Sequence, residues 1–215
     1  MLLSAPTILK ALKKLYNPPR TFLQWRTPLD LLVVTILSAQ CTDKRVNLVS
    51  RTLFKKYRTA ADYLSVPHYA LEQDIRTCGF FRSKARYIQG MCRMLTEKHR
   101  GKVPQTMDEL TALPGVGRKT AAIILWAAFG KNEGIAVDTH VMRLAQRLGL
   151  SRHKDPKKIE LDLMQKFPRK EWGHLTTLLI SHGRSVCIAR NRGCDRCVFK
   201  KKCPSSSVMG RKDHF

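Results

Sequence analysis

The 215-residue chain carries 40 Lys and Arg against 16 Asp and Glu, for a formal net charge of +24. Its 43% hydrophobic content is enough for a folded core and excludes a disordered tail. A charge this large exceeds what solubility needs. It indicates a polyanionic partner, with nucleic acid first and a solvated basic surface or ribosome association as the alternatives.

Apolar residues recur at helical spacing along nearly the whole chain, and we find no alternating strand pattern of useful length. Near the start, Ile8, Leu12 and Tyr16 fall on one face of a predicted first helix. Pro28 opens a second helix that we expect to run to about Cys41. The later predicted helices run from a Ser83 cap to His99, from an Asp138 cap to Leu148, from an Asp155 cap with Pro156 at the first helical position, and from Trp172 to Val186. The predicted fold class is all-α.

No apolar run approaches the roughly 20 residues that a bilayer crossing requires. The basic start admits a transit peptide, but the apolar stripe there favours a packed helix. We therefore expect a cytoplasmic protein, associated with the nucleoid if the source is prokaryotic, without membrane contact and monomeric. In such a reducing compartment the seven cysteines are expected as thiols or metal ligands.

Four cysteines cluster near the end of the chain. Cys187, Cys194, Cys197 and Cys203 lie within seventeen residues, separated by six, two and five positions. This clustering predicts metal ligation, and both zinc and an iron–sulfur cube accept four thiolates. Only one Cys-x-x-Cys pair is present, and six and five residues separate it from the two outer cysteines. This spacing weakly favours the iron–sulfur cube, the larger of the two groups, over zinc. The other three cysteines lie among apolar neighbours, which favours core thiols.

The segment that holds these cysteines is also basic, with seven Lys or Arg from Arg184 to Lys202 and one acid, Asp195. A charge run is usually a solvated surface. If a metal fixes this segment, its cations are held on a rigid arc that suits phosphate contact. We therefore take Arg190 and Lys200 as candidate DNA contacts.

A glycine turn opens directly into a helix in the stretch TALPGVGRKTAAII. Glycines let the backbone approach a ligand closely, and the amides of the next helix point outward, so the turn predicts an anion site. The residues concerned are Leu113, Gly115, Val116 and Gly117. Glycine is also common in ordinary helix-to-helix turns, so this signal alone is weak.

Lys119 occupies the first turn of that helix, where the partial positive charge disfavours a cation. The helix from Ala121 to Phe129 is apolar on every face, so we expect burial and the dipole together to lower the pKa of Lys119. A neutral amine can form a Schiff base. A phosphate clamp and an ordinary exposed lysine are the alternatives. Asp138 is explained by capping alone, although its carboxylate could also face the groove where Lys119 emerges.

These motifs together resemble the endonuclease III family of helix-hairpin-helix DNA glycosylases. The resemblance rests on LPGVGRKTA, VDTHV and the six-two-five cysteine spacing, and also on LLVVTILSAQCTDKRVN and GFFRSKA. It covers residues 28 to 203, in the expected order. It implies two domains, namely a six-helix domain at 21–133 with the hairpin, and a domain of 1–20 plus 134–215 with a [4Fe-4S] cluster.

The resemblance also implies an activity. The enzyme would bind double-stranded DNA, flip a damaged base out of the stack and expel it, probing the gap with Gln40 and wedging the stack with Phe80. Lys119 would attack the sugar C1′, Asp138 would assist, and β-elimination would nick the strand. Oxidised pyrimidines and abasic sites are the expected substrates, and sequence does not separate Phe80 from Phe81 as the wedge.

Three rival interpretations stay open at this point. Mismatch and alkyl-base glycosylases share the superfamily, and Ala122 and Trp126 stand where endonuclease III often has polar residues. An adenine-mismatch enzyme would carry a carboxylate in the early helix, but Asp30 lies too early for that role. A non-enzymatic, zinc-stabilised DNA-binding module is the alternative from another class.

Overall fold

The computed structural model describes residues 3–190 and 192–210. Its helices are Ala5–Leu15 (α1), Pro28–Leu37 (α2), Asp43–Lys56 (α3), Ala60–Leu64 (α4), His68–Asp74 (α5), Phe81–His99 (α6), Met107–Thr111 (α7), Arg118–Phe129 (α8), Thr139–Arg147 (α9), Pro156–Lys166 (α10) and Trp172–Ser185 (α11). None of these described residues forms a strand, and Cys187 and Arg192 form an isolated bridge. The all-α class is confirmed. Within the same ranges no helix is long and apolar enough to cross a membrane.

The chain divides into two compact units. The unit Thr21–Lys131 contains α2 to α8 and has α2 at its centre, where every residue from Leu29 to Leu37 is buried. Helix α2 packs against α3, α6 and α8. An apolar helix surrounded in this way positions the ends of α6 and α8, which carry the candidate site.

The other unit combines Met1–Arg20 with Asn132–Phe215. Helix α11 packs against α1 and α9, and α9 also packs against α10. The first helix uses the predicted stripe, with Ile8 and Leu12 fully buried. Two predicted caps are confirmed, since the side chain of Asp138 accepts a hydrogen bond at the start of α9 and that of Asp155 does so at the start of α10.

Two predicted helix boundaries are wrong. Helix α2 ends at Leu37 instead of near Cys41, and a turn containing Gln40 follows it. Helix α6 begins two residues before Ser83, with Phe80 in the left-handed conformation at its N-cap. Helix α6 begins early because Phe80, with positive φ, forms its N-cap, and residues other than glycine give no local signal for that conformation. Helix α2 ends with Ser38 still right-handed, and the left-handed Gln40 two residues later prevents the helix from continuing to Cys41.

Asp30 has a structural role in this fold. Its carboxylate accepts hydrogen bonds from the amides of Arg26 and Thr27, while the Thr27 hydroxyl accepts one from the Asp30 amide. This reciprocal capping box starts α2, and Asp30 is only 2% exposed.

Candidate active site and cysteine loop

The turn between α7 and α8 requires glycine at position 115. Gly115 has a φ of +77°, and a Cβ added there would lie 2.8 Å from the Cβ of Tyr87. Both the backbone conformation and the packing against α6 therefore exclude a side chain. Leu113 and Val116 on either side are buried, and the Val116 amide donates to the Leu113 carbonyl. These two side chains hold the turn to the core, so only their backbone is left for a ligand.

Gly117 differs from Gly115 because the protein itself does not require it. A Cβ added at Gly117 would meet no atom within 4 Å, and its φ of −89° suits any residue. As the N-cap of α8 it supplies no side-chain hydrogen bond to the first turn of the helix. The first amides of a helix lack intrahelical partners, so an anion placed over Gly117 can accept from them.

Lys119 lies in the first turn of α8 and its side chain is exposed. The expectation that burial desolvates this amine is wrong for the protein without a ligand, because the apolar surface of α8 begins only at Ala121. The first turn holds Arg118 and Lys119 and no acidic residue. Two adjacent cations at the positive end of a helix are unfavourable for the helix but suit an approaching polyanion.

A pocket of about 270 Å³ beside the glycine turn brings three of the sequence motifs together. The residues that line it come from the end of α2 and the next turn (Thr35, Ile36, Ala39, Gln40), from α6 and its N-cap (Phe80, Ser83, Lys84, Tyr87) and from the hairpin and α8 (Gly115, Thr120). The pocket therefore unites Gln40, Phe80 and the hairpin within one unit, although about 75 residues separate the first from the last.

Gln40 and Phe80 share an unusual backbone conformation. Their φ angles are 51° and 58°, in the left-handed region that residues other than glycine rarely adopt. Both are exposed, Phe80 to 65%, whereas Phe81 is partly buried against the core. Of the two phenylalanines, only Phe80 presents its ring to solvent at the pocket.

Asp138 is half-buried at the N-cap of α9, in the other unit. Its Oδ1 accepts a hydrogen bond of 2.8 Å from the amide of Val141. The nearby His140 has its pKa lowered by burial and by Arg143 and Arg184, partly opposed by Asp138. A neutral His140 leaves the Asp138 carboxylate as the local negative charge.

The four clustered cysteines line one cavity, and none of them forms a disulfide. The amide of Phe199 donates to the Cys197 sulfur at 3.4 Å, and Arg147 donates to the Cys187 sulfur at 3.6 Å. Nε2 of His182 lies 3.5 Å from the same Cys197 sulfur. Among the described residues, no group of three or more His, Cys, Asp or Glu side chains converges closely enough to hold a single metal ion.

This donor set fits a group that takes four thiolates. The four sulfurs share one cavity, and N–H groups point at two of them, as the donors around metal-bound thiolates do. Burial lowers the pKa of His182 to about 4, and its Nδ1 is 2.9 Å from the Tyr16 hydroxyl. The imidazole is therefore neutral and can donate through Nε2 to the Cys197 sulfur.

Several cations of the cysteine segment bind the segment itself. Arg192 donates to the Ser205 carbonyl, Arg196 to the Ser185 carbonyl, and Lys200 to the Asp195 carbonyl at 2.7 Å. The Lys200 ammonium is thus already bonded to the backbone, in contrast to the exposed Arg190. Lys201 and Lys202 are exposed as well.

Sequence reasoning missed two arginines of α9. Arg147 is 2% exposed and donates to the carbonyls of Ile188 and Ala189, and Arg143 donates to those of Gly183 and Cys187. They tie the start of the cysteine segment to the helix that Asp138 caps. Their i, i+4 spacing on an otherwise apolar face was the available signal.

Comparisons with known proteins agree with these motifs. Residues 33–169 match the profile of HhH-GPD superfamily base excision DNA repair proteins. The chain is 49% identical to the endonuclease III of Synechocystis sp., over 95% of this chain and 93% of that protein. It is 45% identical to that of Bacillus subtilis, over 86% and 84%. A solved structure of a trapped covalent intermediate of endonuclease III with DNA superposes with a TM-score of 0.91 at 43% identity, covering 96% of this chain and 97% of that one.

Proposed function

The chain belongs to the HhH-GPD superfamily of base excision DNA repair proteins and, within it, to the endonuclease III family, and from this premise we propose that Lys119 is the nucleophile that bonds to DNA. The protein is a base excision repair DNA glycosylase with AP lyase activity. The observation that carries the proposal is an exposed amine in the first turn of an uncapped helix, beside the pocket that holds Gln40 and Phe80.

The Lys119 amine attacks C1′ of the damaged nucleotide, and the bond from C1′ to the base breaks, so the base leaves with the bonding electrons and a proton. The C1′–O4′ bond of the amine adduct then breaks and O4′ takes up a proton, and the protonated imine formed at C1′ makes a C2′ proton acidic. Loss of that proton expels the 3′ phosphate and nicks the strand. Because the amine is exposed in the free protein, it is accessible to the sugar of bound DNA.

Asp138 assists base release in this proposal. As the sugar gains positive charge in the transition state, a carboxylate stabilises it and can also accept a proton. The N-cap hydrogen bond from the Val141 amide fixes the position of the carboxylate. The neutral state of His140 leaves that negative charge uncompensated by an imidazolium.

Gln40 and Phe80 act on the duplex rather than on the bond that breaks. Once a nucleotide is flipped out, a polar side chain can pair with the base left behind, and an apolar ring can enter the stack and kink it. Both residues are exposed at one pocket, which supports these roles of Gln40 in pairing and of Phe80 in kinking the stack. The open space over Gly117 takes a backbone phosphate, which anchors the strand next to Lys119.

Cys187, Cys194, Cys197 and Cys203 would hold a [4Fe-4S] cluster, supported by their common cavity and the N–H groups directed at their sulfurs. When bound, such a cluster cross-links the four thiolates and fixes the fold of the segment. Arg190, Lys201 and Lys202 then present their charges to the DNA backbone from fixed positions. We infer that the substrates are oxidised pyrimidines and abasic sites in duplex DNA, so the protein works where chromosomal DNA is found.

The test of Lys119 uses single-turnover nicking with enzyme in excess, on duplexes with an oxidised pyrimidine or an abasic site. We expect Lys119→Ala and Lys119→Arg each to lower nicking by at least about 10³-fold and to abolish borohydride cross-linking. Lys119→Arg keeps a cation for phosphate, so it should bind DNA nearly as well as the unmodified protein.

Asp138→Asn is the matched variant in the same assay, because asparagine caps a helix as well as aspartate does. It should slow release of the damaged base more than nicking of a pre-formed abasic site, from which no base need leave. Normal nicking by Lys119→Arg would make Lys119 a phosphate clamp and overturn its assignment as nucleophile.

The metal is tested by elemental analysis of protein purified without oxygen. We expect about four iron atoms per chain and no stoichiometric zinc, the composition of a [4Fe-4S] cluster. Cys194→Ala should lose iron, whereas Cys92→Ala, at a fully buried cysteine of α6, should retain it. One zinc and no iron would refute the cluster and leave a zinc-stabilised loop.

A further inference from the structure

Two cysteines outside the cysteine segment meet behind the pocket. Cys41 follows Gln40 in the turn after α2, and Cys78 precedes Gly79 in the turn before α6. The two turns touch, since the Gln40 carbonyl oxygen lies 3.9 Å from the Cβ position of Gly79. Cys41 lies close enough to Cys78 for the two thiols to interact. Thiols brought together from positions 37 residues apart are a potential disulfide.

The surroundings give the two sulfurs different access to solvent. Cys41 is half-buried, whereas Cys78 is fully buried. Burial is the main cause that raises the pKa of Cys78 to about 11, and the neighbouring Cys41 adds to it, while Lys84 and Arg45 oppose it. Cys41 is therefore the sulfur that a small oxidant reaches, and Cys78 is held beside it as a neutral thiol.

A buried cation completes the cluster. Lys84 is 3% exposed, and its ammonium donates to the Leu37 carbonyl at 2.8 Å, which ties α6 to the end of α2. Desolvation lowers the pKa of Lys84, while Cys41 and Cys78 raise it. The Lys84 side chain therefore lies close to both sulfurs, where it can pair with a thiolate, the form that reacts with peroxides.

We propose that Cys41 and Cys78 are a redox modification site at which a hydroperoxide produces a reversible disulfide. The Cys41 thiolate attacks one peroxide oxygen, the O–O bond breaks, and sulfenic acid and one water form. The Cys78 thiol then attacks the sulfenic sulfur, and a second water leaves. In total the two thiols lose two electrons and two protons, and one hydrogen peroxide becomes two waters.

The disulfide acts on the turns that carry Gln40 and Phe80. An S–S bond is about 2.0 Å long and holds its two Cα atoms about 4.4–6.8 Å apart, so it would constrain the positions of the two turns relative to each other. Cys41 directly follows Gln40, and one residue, Gly79, separates Cys78 from Phe80. Gln40 and Phe80 are both held in the left-handed conformation at the pocket. Displacing such residues by about 1 Å is enough to lower a rate up to about 100-fold. This consequence rests on the proposed function, whereas formation of the disulfide does not.

The experiment treats the cluster-loaded protein with increasing hydrogen peroxide, and with diamide as an oxidant that acts on thiols. Peptide mapping after alkylation should identify a Cys41–Cys78 cross-link, and visible absorption follows the integrity of the cluster. Single-turnover base release should fall at least tenfold while the cluster absorption is intact, and dithiothreitol should restore it.

Three variants show whether the response to oxidant depends on the Cys41–Cys78 pair. Cys41→Ser and Cys78→Ala should form no cross-link and should keep their rates after oxidation, whereas Cys92→Ala should respond as the unmodified protein does. Burial alone raises the pKa of Cys92 to about 12, so this variant removes a thiol that takes no part in the pair.

Absence of the cross-link at oxidant levels that oxidise Cys41 would overturn the modification site. A full cross-link with an unchanged rate would overturn its effect on the pocket. Neither result bears on Lys119, since borohydride trapping by the reduced protein is measured separately.

Discussion

Phe80 combines two features that folding alone disfavours. Its left-handed backbone costs a residue with a side chain about 1–2 kcal/mol relative to a right-handed one, and its ring is 65% exposed. Strain of this kind persists at functional sites, where the surrounding structure imposes it. Phe81, by contrast, contributes to the core in the ordinary way.

The two neighbouring phenylalanines therefore give a matched pair of variants. Phe80→Ala should slow release of a damaged base from duplex DNA by about tenfold or more, which corresponds to ~1.4 kcal/mol of lost transition-state stabilisation. Its free energy of unfolding should change little, because the ring has few contacts to lose. Phe81→Ala should instead destabilise the fold by about 1–3 kcal/mol.

Thermal unfolding and single-turnover kinetics on the same preparations separate the two effects. If Phe80→Ala lowers the melting temperature as much as Phe81→Ala does, Phe80 is a structural residue and the wedge lies elsewhere.

At the scale of elements, the α7–α8 hairpin contains two glycines with different roles. The fold requires Gly115, whereas Gly117 leaves space for a ligand. Gly115→Ala forces a Cβ to 2.8 Å from Tyr87 in a backbone of positive φ, so it should destabilise the fold by about 2 kcal/mol. Gly117→Ala meets open space and should cost only about 0.5–1 kcal/mol, because alanine is a poorer N-cap than glycine.

Gly117→Ala, the less damaging of the two substitutions for stability, is expected to weaken DNA binding. A Cβ there occupies the space in which a phosphate would approach the first amides of α8, so affinity for duplex DNA should fall about tenfold. Fluorescence anisotropy at fixed salt measures the affinity, and thermal unfolding measures the stability. Unchanged affinity in a stable Gly117→Ala protein would show that no phosphate sits over this helix end.

At the scale of the whole molecule, the net charge of +24 makes binding dependent on salt. Each cation that neutralises a phosphate contributes about 0.9 to the slope of log affinity against log salt. Lys201 and Lys202 are exposed, whereas Lys200 is bonded to the Asp195 carbonyl. Replacing Lys201 and Lys202 by alanine should therefore lower the slope by up to about 1.8.

The matched control removes the same charge from two exposed lysines at the start of α10, as Lys157→Ala with Lys158→Ala. Equal changes of slope in the two double variants would mean that only total charge matters and that the cysteine segment makes no phosphate contact of its own. Iron content of each protein must match, so that the segment keeps its fold.

The sequence by itself determined the features that depend on neighbours along the chain. The helical class follows from the spacing of apolar residues, and the caps at Asp138 and Asp155 follow from one side chain reaching an amide three residues on. The grouping of Cys187 to Cys203 is likewise local. Family membership was predictable for the same reason, because its motifs are short and contiguous.

Only the tertiary structure decided which surfaces meet and which stay in water. The structure exposed Lys119, which the apolar sequence of α8 had suggested was desolvated, and it bonded Lys200 to the Asp195 carbonyl while leaving Phe80 exposed. It also brought Cys41 close to Cys78. Burial, left-handed backbone and contact between distant thiols depend on the packing of α2, α6 and α8 as a whole, and the free energy of that packing is not contained in any one segment.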